Sequence, residues 1–75
     1  MQEQIKDKGI IIKAEPIGEY DRRVVILTEN RGKISAFARG ARRPNSKFVA
    51  TTNPFVFGNI SLFVGRNSYT LTDME

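Results

Sequence analysis

The sequence predicts an all-β domain, a small five-stranded barrel with a basic loop or short helix between strands three and four. Three observations carry that prediction. The apolar residues fall in short runs with the periodicity of strands. Clusters of Gly, Pro and Asn punctuate the runs where turns are needed. Seventy-five residues, 40% of them apolar, make one compact core and at most one domain. A chain of this size buries only about 60% of the surface its unfolded form exposes. An open sheet would add bare edges, and closing it into a barrel removes them.

The first strand is read at residues 9–14, a β-branched run ahead of Pro16 and Gly18. The second, residues 22–28, is an apolar run that ends at Glu29-Asn30-Arg31-Gly32, a tight hairpin in which Gly32 can take a positive φ. The third, residues 33–39, alternates cleanly. Ile34, Ala36 and Ala38 face one side; Lys33, Ser35, Phe37 and Arg39 face the other. Residues 41–53 read as a loop with one helical turn at 46–50, bracketed by Pro44 and Pro54. The fourth strand is read at 55–64, with Val56, Ile60, Leu62 and Val64 on its aliphatic side and Gly58 permitting a bend. Residues 65–68 make a turn and 69–72 a last short strand. Five strands with an insert after the third is the layout of an oligonucleotide-binding (OB) barrel. An SH3-like barrel is the nearest rival at this level.

Charge is distributed unevenly. Seven Lys and Arg, and no Asp or Glu, lie between Asn30 and Thr72, whereas the chain up to Glu29 carries five basic and six acidic residues. The net +4 is thus a local property. A one-signed segment on a small domain attracts polyanions, which points to nucleic acid before any small molecule.

Composition removes several function classes. With no Cys there is no disulfide framework and no thiolate metal site. With no His, the usual general base near neutral pH and the commonest metal ligand are missing. No nucleophile–base pair can be assembled, so no enzyme, cofactor or metal is expected. The polar N-terminus, residues 1–8, has no apolar signal core, and no segment approaches the roughly 20 apolar residues of a membrane span. A cytoplasmic location is expected.

Four of the cations, Arg39, Arg42, Arg43 and Lys47, crowd into nine residues. Arg offers a planar fork of donors that fits phosphate oxygens, and Lys a mobile point charge. The competing reading is a solvated loop kept soluble by its charge. Phe37 stands between Lys33 and Arg39 on the outer face of strand three, an arrangement suited to base stacking with phosphates neutralised alongside. Phe37 packing under the insert or against a second domain is the other reading. Phe55, Phe57 and Phe63 would form an apolar patch too large to leave bare, so either the insert covers them or they meet a partner domain, with a base-stacking platform as the lesser alternative. Tyr20 and Tyr69 read as framework residues. Glu15, Glu19 and Asp21 cluster around a turn and read as partners of Arg22 and Arg23 rather than as a cation site. The segment from Gly40 to Lys47 lacks the second Gly before Lys and the following helix of a phosphate loop. Asn59-Ile60-Ser61 matches a glycosylation acceptor by chance.

Three stretches together resemble the N-terminal domain of the bacterial DNA repair and recombination family RecO. They are Ile17-Gly18-Glu19-Tyr20-Asp21 before an apolar strand, Gly32-Lys33 in a hairpin, and Ala38-Arg39-Gly40-Ala41-Arg42-Arg43-Pro44-Asn45-Ser46-Lys47. The last is the most specific. The resemblance runs from about Gly9 to Leu71 and covers the first third of a typical member. It implies an OB fold, binding of single- and double-stranded DNA, annealing of complementary strands, and partnership with RecR and the single-strand DNA-binding protein. With RecR, the family helps load RecA recombinase, without nucleotide hydrolysis of its own. The resemblance places Arg39, Arg42, Arg43 and Lys47 in the family's basic, DNA-associated loop. The helical domain that follows in the family, often with a Cys-based zinc site, has no counterpart in these residues.

The expectation is therefore a single non-enzymatic OB domain over residues 1–75, the N-terminal part of a larger recombination mediator. Arg42, Arg43 and Lys47 would contact phosphates from the insert, and Lys33, Arg39 and Arg66 would extend the track. Arg66 enters from topology, because OB domains use the turn between their last two strands for ligands. The alternative is a protein-interaction or assembly module whose basic loop meets an acidic surface.

Overall fold

The computed structural model describes residues 3–46, 48–66 and 68–75. Five strands, β1 (Glu3–Ile17), β2 (Asp21–Thr28), β3 (Gly32–Ala38), β4 (Phe57–Val64) and β5 (Tyr69–Met74), form a closed barrel in the order β1-β2-β3-β5-β4. A short helix, α1 (Phe48–Thr51), lies between β3 and β4. Strand β3 pairs in parallel with β5 at Ala36–Tyr69 and Phe37–Thr70. A barrel of sequential hairpins would set the fourth strand beside the third. The parallel closure instead gives OB connectivity, with the insert crossing between the two, and decides against the SH3-like rival.

The core follows from the alternation. Ile11, Val24, Ile26, Ala36, Ala38, Ile60, Leu62 and Leu71 point inward and are almost fully buried. Phe48 from α1, Ala41 and Met74 complete the cluster. Ser46 caps α1, accepting the Phe48 amide at 3.0 Å. Thr52 is fully buried just after the helix. Its hydroxyl donates to the Phe48 carbonyl at 2.6 Å and accepts from Arg22 at 3.0 Å, which ties the insert to β2.

Strand β1 is the longest because it serves two neighbours. Its first half pairs with β4 from Glu3–Val64 to Ile10–Phe57, and its second half pairs with β2 from Gly9–Thr28 to Ile17–Asp21. The hand-over falls at Gly9, opposite Gly58. A Cβ at Gly9 would lie 2.7 Å from Ile26 Cγ2, closer than real Cβ atoms come, and a tight 3.0 Å from the Leu27 carbonyl. At Gly58 a Cβ would run into the Glu75 carbonyl.

Several sequence expectations need correction. The first strand begins at Glu3, not Gly9. The helical turn lies at Phe48–Thr51, shifted from 46–50. The last strand extends to Met74. The fourth strand begins at Phe57, and Phe55 occupies a turn at φ 71°. Left-handed backbone costs a residue with a side chain roughly 1–2 kcal/mol. Two backbone hydrogen bonds hold the segment in place, Phe55 N to Ile11 O at 2.6 Å and Ile11 N to Val56 O at 2.9 Å. The insert does not cover the Phe residues either: Phe55 is 75% exposed, Phe57 67% and Phe63 37%.

Candidate nucleic-acid interface

Strand β3 carries the site because its inward positions, Ala36 and Ala38, are buried and its odd positions therefore face solvent. Lys33 and Phe37 stand on that outer face, and Arg39 follows in step at the strand's end. Six residues of extended chain place Lys33 and Arg39 roughly 20 Å apart. Phe37 sits between them, 39% exposed.

The strand register adds neighbours that the sequence conceals. Arg23 of β2 pairs directly with Phe37, and Thr70 of β5 flanks it on the other side. Arg23 is half-engaged by Glu15 at 3.5 Å; Lys13 holds the same carboxylate at 2.8 Å. The hydrogen bond and charge of Lys13, and then the charge of Arg23, set the Glu15 pKa below the usual carboxylate value. Arg23, Lys33, Phe37, Ser68 and Tyr69 line a shallow hollow of about 420 Å³. Ser68 belongs to the β4–β5 turn, closed by Gly65 N donating to Ser68 O at 2.8 Å. Arg66 stands exposed in that turn, at the Lys33 end of the face.

At the other end the chain turns sharply. Gly40 takes a φ of 69°, which lets the insert fold back towards the β1–β2 turn. The Asp21 carboxylate accepts the Gly40 amide at 2.7 Å. Arg42 N donates to Tyr20 O at 2.7 Å, and the Arg42 guanidinium donates to Gly18 O at 3.1 Å. The Arg43 guanidinium lies over the Tyr20 ring, 4.6 Å from its centre. Glu19, Tyr20, Asp21, Arg39, Arg43 and Asn45 border an open hollow of about 990 Å³, which sets two carboxylates beside its two guanidinium groups. Tyr20, read from sequence as framework, is 45% exposed and borders this hollow.

Arg42 and Arg43 are oriented by a carbonyl and an aromatic ring, both neutral, and neither closes an ion pair among the described residues, although Glu19 and Asp21 line the same hollow as Arg43. Among the described residues, the carboxylate ion pairs use Lys13, Arg23 and Arg31, not Lys33, Arg39, Arg42, Arg43 or Arg66. The acidic turn disperses: Glu15 meets Lys13 and Arg23, and Asp21 caps the insert. Arg22 does not join an ion pair; it donates to Thr52 and Asn53. Lys47 lies outside the described residues. The structure thus brings Arg39 and Arg43 to one hollow and Lys33 to the next along the same strand, with Arg42 and Arg66 at the two ends.

Arg31 is committed elsewhere. It donates to Asp7 at 3.4 Å, and Asp7 also accepts the Lys8 amide at 2.7 Å and the Asn30 side chain at 3.0 Å. This cage pins the β2–β3 hairpin to β1. Burial pushes the Asp7 pKa up, but the hydrogen bonds from Lys8, Asn30 and Arg31 outweigh it and hold the carboxyl below its ordinary value.

The family described as recombination protein O N terminal matches residues 1–75. A DNA repair protein RecO of Acetivibrio thermocellus is 44% identical over 71 residues, covering 95% of this chain and 28% of its own. The RecO of Clostridium acetobutylicum is 40% identical over 70 residues, 93% of this chain and 28% of its own. That of Alkaliphilus metalliredigens is 41% identical over 71 residues, 95% and 29% respectively. The chain therefore spans less than a third of the length of these relatives.

Proposed function

This chain belongs to the recombination protein O N-terminal family, and from that premise we propose that it is a DNA-binding domain acting in repair and recombination. The observation that carries the reading is the outer face of β3. There Lys33, Phe37 and Arg39 alternate, flanked by Arg66 at one end and by Arg42 and Arg43 at the other. Strands two and three and the turns beside them are the surface that OB domains offer to oligonucleotides.

In this reading the cations screen the backbone while Phe37 gives one base a stacking surface. Screening lowers the repulsion between complementary strands, and backbone contacts leave base edges free to pair. Both favour annealing over sequence reading. The chemistry requires no bond making by the protein, so the domain acts without catalysis. Loading of RecA, and contacts with RecR and the single-strand DNA-binding protein, are proposed for the longer protein of which this domain forms part.

The test is a titration of fluorescein-labelled oligo-dT at low and at moderate salt, followed by anisotropy. Saturable binding at low salt that weakens at moderate salt is expected. No binding at low salt would overturn the proposal and leave the basic face as a surface for an acidic protein.

A further inference from the structure

One cation beside the outer face of β3 already holds an anion. Glu15 of β1, Arg23 of β2, Phe37 of β3 and Thr70 of β5 stand in one cross-strand row. Neighbouring strands lie about 5 Å apart, so the long Arg23 side chain can reach either way along the row, towards Glu15 or towards Phe37. In the structure it turns to Glu15. Arg23 is 48% exposed and borders the same hollow as Lys33 and Phe37.

The hold of Glu15 on Arg23 is loose and unequal. Glu15 Oε2 lies 3.5 Å from Arg23 Nη2, beyond the roughly 2.7–2.9 Å of a charge-assisted hydrogen bond. Glu15 Oε1 lies 2.8 Å from Lys13 Nζ, within that range. The two cations use different oxygens, so departure of Arg23 leaves Lys13 in place and the carboxylate still paired. Both Arg23 and Glu15 reach solvent, where an ion pair of this length contributes little net free energy. A phosphate offers Arg23 more, because two of its oxygens match the guanidinium fork.

Position indicates which phosphate that is. A base stacked on Phe37 leaves its sugar and phosphate beside the ring. Arg23 is the cation directly across the sheet from Phe37, whereas Lys33 and Arg39 stand further along the strand. A duplex keeps its bases stacked inside and gives Phe37 none. Its backbone is therefore not drawn to this spot, and Glu15 keeps Arg23.

We propose that Arg23 is a further DNA contact that discriminates single strands from duplex: it leaves Glu15 for the phosphate of the nucleotide stacked on Phe37. Glu15 takes Arg23 back when that nucleotide departs or pairs. Glu15 is thus a built-in competitor for the phosphate. It lowers the affinity for single strands and helps a newly paired duplex to leave, which suits a domain that brings complementary strands together. The inference rests on the DNA reading proposed above.

The test is a double-mutant cycle of Arg23→Gln and Glu15→Gln in the protein expressed over its full native reading frame, with circular dichroism to confirm folding. Binding of fluorescein-labelled oligo-dT and of a labelled duplex is followed by anisotropy over a range of salt. Glu75→Gln makes the same change in net charge at an exposed residue that borders a different hollow, and it serves as the reference. Glu15→Gln should tighten oligo-dT binding roughly two- to five-fold beyond that reference, and duplex binding no more than the reference does. Arg23→Gln should weaken oligo-dT binding, flatten its salt slope by about 0.7 and leave the duplex slope unchanged. With Arg23→Gln in place, Glu15→Gln should act only as the reference does. Where the wild type binds oligo-dT, three results would overturn this proposal alone: wild-type affinity and slope in Arg23→Gln, equal effects on single strand and duplex, or a Glu15→Gln gain that persists without Arg23. If Arg23→Gln does not fold, the comparison of oligo-dT with duplex in Glu15→Gln decides by itself. A wild type that binds no oligo-dT at low salt would overturn the DNA reading and this proposal with it.

Discussion

Replacing Asp7 by Asn tests a single buried carboxylate. Its side chain has no exposure, and it gathers Lys8, Asn30 and Arg31 around it. Hydrogen bonds to a charged group contribute roughly 1.5–3 kcal/mol each. Asp7→Asn keeps the shape but loses the charge, and about 2 kcal/mol of unfolding free energy should go with it. The pH dependence follows from the depressed pKa. The folded state binds fewer protons at this site than the unfolded state, so its contribution is complete above the unfolded value near 3.9. It is lost as pH falls through the lower folded value. Urea denaturation from neutral pH down to pH 2 should therefore show a wild-type acid loss that is smaller in Asp7→Asn. At Tyr20 the expectation concerns binding. Tyr20→Ala removes the ring under Arg43 but no charge. An exposed cation–π contact is worth about 0.5–1 kcal/mol, so oligo-dT affinity should fall roughly two- to five-fold with the salt slope unchanged. Tyr20→Phe should restore it.

At the level of elements, strand β1 shows what was legible in the sequence and what was not. Residues 9–14 announce themselves by β-branching, and the alternation of Ile34, Ala36 and Ala38 fixed the faces of β3 correctly. The first six residues of β1 gave no such signal. Their alternation is polar throughout except Ile5, and the inward position two residues on is Asp7, a charge where the pattern demands an apolar group. Its partners come from a hairpin more than 20 residues away, so no local pattern reveals that it is satisfied. Arg23 was missed for the same reason: its pairing with Phe37 exists only through the register. The contact of Tyr20 with Arg43 has no local signal, because Arg43 reaches it from the insert. The insert itself was legible as basic and irregular, and its turn was displaced because Ser46 serves as the cap and not as the first helical residue. Two predictions belong here. Gly9→Ala places a methyl against Ile26 and the Leu27 carbonyl where β1 changes partner. Overpacking of this kind costs about 1–3 kcal/mol, to be read from the shift in urea midpoint. Phe37→Ala should weaken oligo-dT binding by the roughly 1–3 kcal/mol of one stacked base, and should weaken duplex binding much less. Equal losses on both would remove the stacking role.

For the molecule as a whole, the barrel divides its outer surface by strand. β3, the insert and the β4–β5 turn carry cations outside the carboxylate ion pairs of the described residues, and β4, β1 and β2 carry an apolar row that meets them at Lys33. The seven cations between Asn30 and Thr72 have no Asp or Glu among them in sequence, and in the proposed reading a phosphate backbone meets those on β3, the insert and the β4–β5 turn. Screening by salt is the physical signature of such a surface. If three to five phosphates are contacted, the plot of log K against log salt for single strands should fall with a slope of roughly −2 to −3.5. The most direct measurement compares that slope in the wild type and in the double variant Arg42→Ala, Arg43→Ala, with circular dichroism to confirm that both fold. The slope should be flatter, closer to zero by roughly 1.4, with weaker binding to every sequence alike. A folded double variant with the wild-type affinity and the wild-type slope would contradict it.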